Sequence, residues 1–129
     1  MRTAMISLML LLLASACATT SPLATSSKDR HALNGVWEEE WPGQQENDRY
    51  RVEIMPEGIV ITPLTRAGNQ TIRDVYFQHK RLSFVLELDG VPVYYDLVMV
   101  NDQLLAGRAK GGARNLDEPV RWYKVTAEP

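Results

Sequence analysis

The chain has 129 residues, enough for one domain around one core. Its 14 lysines and arginines and 16 aspartates and glutamates are interspersed and leave a net charge of −2, which argues against the basic stripe of a nucleic-acid partner and gives no general attraction to anionic lipid. The single cysteine excludes an intramolecular disulfide.

Arg2 gives the N-terminus a positive flank, and Met5 to Ala14 is apolar except for Ser7. The run matches a signal-peptide apolar region and falls short of the roughly 20 apolar residues of a membrane-spanning helix. Ala14-Ser15-Ala16 leads into Cys17. This resembles the lipobox of bacterial lipoproteins, with Ala14 where leucine is usual and Leu13 one step further out. The resemblance implies cleavage before Cys17, which becomes the first mature residue and carries acyl chains such as palmitate. An ordinary secretory signal with an incidental cysteine is the plainer alternative. Lipoproteins kept in the inner membrane often have aspartate at the next position, so Ala18 implies an outer-membrane anchor facing the periplasm. Ala18 to Lys28 is small, polar and without period, as in a flexible linker. The expected division is a signal peptide over 1–16, lipidated Cys17 and linker over 17–32, and a β domain over 33–126.

From Leu33 onward, short alternating runs are separated by turn residues. Residues 35–41 put Trp37, Glu39 and Trp41 on one face before Pro42-Gly43 stops the run. Residues 49–55 put Tyr50, Val52 and Ile54 on one face, and Pro56-Glu57-Gly58 turns the chain into a strand over 59–64. Pro63 lacks an amide donor and limits that strand. Residues 70–78 form a less regular fourth strand, and His79-Lys80 a tight turn. Residues 81–88 alternate cleanly, with Leu82, Phe84, Leu86 and Leu88 inward. Asp89-Gly90 is a strong hairpin signal that sets Leu88 opposite Val91, with Val93, Tyr95, Leu97 and Met99 continuing the inward face. Asn101-Asp102 predicts a second hairpin into 103–110, Gly111 to Asn115 a loop, and 118–126 a closing strand.

Eight antiparallel strands in sequence fold as an up-and-down barrel or a sandwich. Closure removes both sheet edges, which favours the barrel. Asp29 to Leu33 is placed to form a helical turn plugging one end. Leu33-Asn34-Gly35-Val36-Trp37 resembles the Gly-X-Trp opening of the first strand in lipocalins and the wider calycin group. In that group the tryptophan closes the barrel floor and a basic residue of the last strand packs across it. The resemblance implies a structural floor of Trp37 and Arg121, with Lys124 as second choice. The domain is shorter than a typical lipocalin, leaving a smaller cup, and no particular ligand follows.

The candidate ligand-binding residues are Trp37, Glu39, Trp41, Tyr50 and Tyr95. A carboxylate at position 39 in an apolar cup has a raised pKa and can recognise an amine or hydroxyl; the alternative is that Glu38-Glu39-Glu40 is a solvated acidic edge. Tyr50, Tyr76, Tyr94, Tyr95, Trp122 and Tyr123 suit the rim of a cup or simply fill a small barrel. Val85, Val98, Val100 and Leu105 fall on the nominal outer face, where with Tyr94 they make a candidate partner patch. His31 and His79 have no companions at metal spacing, and no catalytic motif is present, so neither metal, cofactor nor enzymatic activity is expected. Two functions remain. One is a membrane-anchored barrel binding a small apolar or amphipathic ligand. The other is an envelope module that binds a protein partner, such as an inhibitor, an immunity-type protein or an assembly accessory, with the loop from Glu38 to Asp48 as the segment of interest.

Overall fold

The computed structural model describes residues 27–43, 46–65 and 69–126. Cys17, the signal peptide and most of the expected linker lie outside them. Strand β1 (Gly35–Glu40) follows a short helix, α1 (Ser27–Ala32). The others are β2 (Arg49–Met55), β3 (Gly58–Pro63), β4 (Gln70–Gln78), β5 (Arg81–Leu88), β6 (Val91–Asn101), β7 (Leu104–Gly111) and β8 (Leu116–Lys124). Neighbours along the sheet run β3-β2-β1-β8-β7-β6-β5-β4, every pairing antiparallel. The meander curls until β1 pairs with β8, so the protein is an all-β, eight-stranded, up-and-down barrel.

Closure is nearly complete. β3 and β4 lie against each other but share no hydrogen-bonded ladder. Two local features account for this seam. Pro63 offers no N–H at the end of β3, and β4 carries a register shift between Arg73 and Tyr76, where Asp74 has φ 55°. Arg73 is engaged away from the seam, its Nε donating to Glu87 Oε1 at 2.9 Å on β5. Such irregular, charged edges discourage pairing with another chain.

Residues that alternate along each strand supply the core: Tyr50 and Val52 from β2, Leu82, Phe84 and Leu86 from β5, Val93, Tyr95, Leu97 and Met99 from β6, Val120 and Trp122 from β8. Gly107 of β7 is required by close approach, because a Cβ there would stand 1.9 Å from the Asp96 carbonyl oxygen on β6. The β5–β6 hairpin forms on Asp89 (φ 51°) and Gly90 (φ 83°), with Leu88 opposite Val91. The β6–β7 turn lies one residue later than expected. Asn101 stays in the strand and its Oδ1 accepts a hydrogen bond from the Gln103 amide at 2.8 Å. With a register shift between Met99 and Asn101, Leu105 comes opposite Met99 and is fully buried. It belongs to the core, not to the outer face. Val85 does face outward but is only 7% exposed, sharing its face with paired Tyr94 and Arg73.

Candidate functional site

The barrel interior divides into a floor, a waist and a mouth. At the floor, α1 closes the end where β1 begins. Leu33 is fully buried, and its carbonyl accepts the Trp37 indole N–H at 2.8 Å. The cation over the Trp37 ring is Lys124, 5.5 Å from the centroid, and its ammonium donates to the Ala32 carbonyl at 2.7 Å. Arg121, which the resemblance implies for this role, does not fill it. Register sets Lys124 opposite Trp37, and alternation along β8 turns Val120 and Trp122 inward while Arg121 is exposed. The Arg121 guanidinium is held above its ordinary pKa chiefly by a hydrogen bond with Tyr123. Gly35 makes room for the Lys124 stem: a Cβ there would come within 3.0 Å of Lys124 Cε. Trp37 is thus a floor residue, out of reach of the open end.

The waist is filled with aromatic rings around one carboxylate. Tyr50 stacks on Trp122 with centroids 4.7 Å apart, and Phe84 on Tyr95 at 4.5 Å. Glu39 sits among them, 1% exposed, because alternation along β1 points it inward and pairing with β8 sets it opposite Trp122. The solvated-edge alternative therefore holds for Glu40, which is exposed, and not for Glu39. Glu39 Oε2 accepts the Trp122 indole N–H at 2.8 Å. Its Oε1 accepts the Trp41 indole N–H and the Tyr95 hydroxyl, the latter at 3.3 Å. All three donors are neutral. Burial raises the Glu39 carboxyl above its ordinary pKa of 4.5, the three hydrogen bonds pull it back in part, and nearby Asp48 adds a smaller upward push. Burial, with the charge of Glu39 and the hydroxyl of Tyr50 nearby, pushes the Tyr95 phenol well up, so it remains a donor.

Above this layer the mouth opens into a cleft of about 420 Å³. Trp41 and Tyr95 form its inner walls, their rings 6.4 Å apart and nearly perpendicular at 83°. Leu88, Val93 and Leu116 add an apolar side, Pro42-Gly43 bends over it, and Glu118 stands on the rim. Of the five candidate ligand residues, the structure brings Trp41 and Tyr95 to the cleft, sets Glu39 directly beneath them, and keeps Tyr50 and Trp37 in the filled interior. Leu116 and Glu118 were missed, although a signal was present: they alternate in phase with inward Trp122. Beside the Leu88 wall, Gln70 keeps both amide atoms away from water and without a hydrogen-bond partner among the described residues.

On the outside, Tyr76 and Tyr94 are 67% and 55% exposed and flank shallow depressions that also involve Arg81, Ser83 and Val98. Arg81 and Asp96 pair there at 3.3 Å. Among the described residues no group of three histidine, cysteine, aspartate or glutamate side chains could hold a metal ion.

Fold and site together define a small antiparallel barrel, consistent with a calycin-type architecture, with a sealed floor and a cleft at its open end. Comparisons with known proteins return no matching family model, no matching curated protein and no matching solved structure.

Proposed function

We propose that this protein is a non-enzymatic binding barrel of the bacterial envelope, lipid-anchored through Cys17, that holds a small apolar or amphipathic ligand in its mouth. The carrying observation is the cleft itself: about 420 Å³, within the range of small-molecule sites, with aromatic and aliphatic walls and the Glu118 carboxylate on its rim. The filled waist limits the ligand to the mouth. The anchor is supported by the apolar run over Met5 to Ala14 and the small residues before Cys17.

Two experiments test the two halves. Metabolic labelling with radioactive palmitate should mark the wild type and not Cys17→Ser; equal labelling of both would refute the anchor. Native mass spectrometry of residues 18–129, exported to the periplasm and purified gently, should show a discrete extra mass released on mild activation. Retention of that mass in Leu116→Trp, which fills the cleft, would refute the mouth as its site.

A second reading, binding of a protein partner, is favoured by the exposure of Tyr76, Tyr94 and Val100 on the outer face. A photo-crosslinking residue at Tyr94 should then yield one discrete envelope adduct that is lost on Val98→Lys.

A further inference from the structure

The mouth cleft has a consistent electrostatic sign. Among the residues lining it there is no lysine, arginine or histidine, and the one charged side chain is Glu118. Glu118 points into the mouth in phase with Leu116 and Trp122, and no ion pair or hydrogen bond engages it among the described residues. Neighbouring carboxylates elsewhere on the barrel are tied up: Glu87 by Arg73, Asp96 by Arg81, Asp117 by Arg108. Glu118 therefore stands unpaired, among the described residues, on a surface that is both concave and aromatic.

The aromatic walls point the same way. Trp41 and Tyr95 each carry one polar group, and both polar groups donate downward into Glu39. What the two side chains offer the cleft is therefore carbon and π-surface, arranged as a right-angled corner. An N–H or O–H hydrogen-bonded to a carboxylate pushes electron density into its ring, which strengthens the attraction of that ring for a cation. The remaining walls, Leu88, Val93 and Leu116, suit a hydrocarbon chain.

We propose that the ligand of the mouth cleft is an amphipathic cation, with its ammonium group held between Glu118 and the Trp41–Tyr95 corner and its apolar part along Leu88, Val93 and Leu116. This rests on the reading of the cleft as a small-ligand site and names the class of ligand it takes.

Three soluble probes of equal chain length separate the possibilities: octylamine, octanol and octanoate, each titrated calorimetrically into residues 18–129 at neutral pH. Octylamine should bind one per chain and about fivefold or more tighter than octanol, with octanoate weakest, the scale expected for a cation–π contact and a partly exposed ion pair. Glu118→Gln should weaken octylamine about fivefold and leave octanol unchanged. Glu118→Lys should reverse the order of octylamine and octanoate. Glu118 is exposed, so neither substitution threatens folding. Octanol or octanoate binding as tightly as octylamine, or indifference of octylamine to both substitutions, would overturn the cationic assignment while leaving the cleft as a ligand site. No binding by any probe would overturn both.

Discussion

Glu39 holds a carboxylate inside the barrel with three neutral donors and, among the described residues, no cation bonded to it. Its native pKa is raised mainly by burial, so the folded protein retains this proton more firmly than the unfolded chain. The sign follows. The stabilising effect of protonation is fully present below the ordinary value of 4.5 and is lost as pH climbs through the raised native value. Urea unfolding across this range should show wild-type stability falling relative to Glu39→Gln, which cannot ionise; parallel pH profiles would contradict the account. The substitution has its own constant cost of about 1–3 kcal/mol, because a side-chain amide cannot accept from all three donors. At the floor, Lys124→Met removes both the ring contact and the bond to the Ala32 carbonyl and should destabilise by about 1–2 kcal/mol. Arg121→Ala, on the exposed outside, should leave the unfolding temperature essentially unchanged. Thermal unfolding of the two variants distinguishes the floor seen here from the one expected from resemblance.

At the scale of elements, the hairpins show which turns carry strain. Asp89-Gly90 places glycine at one of its two positive-φ positions, but the β4–β5 turn sets His79 at φ 53° and Lys80 at φ 62° with no glycine at either. A left-handed conformation costs a non-glycine residue roughly 1–2 kcal/mol, partly offset in a glycine variant by the entropy of the unfolded chain. Lys80→Gly should therefore raise stability by up to about 1 kcal/mol in denaturant titration, and a loss would show that Lys80 makes contacts worth more than its strain. These same elements show what was legible in advance. Alternation over 81–88 and 91–99, bracketing Asp89-Gly90, fixed β5, β6 and their register, because inward and outward positions differ plainly in polarity. The burial of Glu39 was visible in its phase with Trp37 and Trp41. Its bond to Trp122 was not, since β1 meets β8 only when the whole barrel wraps round, and that pairing has no local signal. Arg121 and Lys124 differ by an odd number of residues, so only the phase of Trp122 decides which one reaches Trp37. Leu105 was misplaced by a one-residue slip in a turn, which reverses every facing in a strand.

For the molecule as a whole, the two ends of the barrel have opposite characters. One is sealed by α1, Leu33, Trp37 and Lys124; the other opens onto Trp41 and Tyr95 above the Glu39 layer. The chain has three tryptophans, and each indole N–H reports on one level: Trp37 bonded to Leu33 at the floor, Trp122 to Glu39 at the waist, Trp41 to Glu39 beneath the cleft. The most direct measurement is a nitrogen-15 indole NMR spectrum of residues 18–129, recorded as gently purified from the periplasm and again after ligand extraction with organic solvent and refolding. Occupancy of the mouth predicts that the Trp41 signal moves most, Trp122 less, and Trp37 not at all. An unchanged Trp41 signal, or a shift largest at Trp37, would contradict a ligand site at the mouth of this barrel.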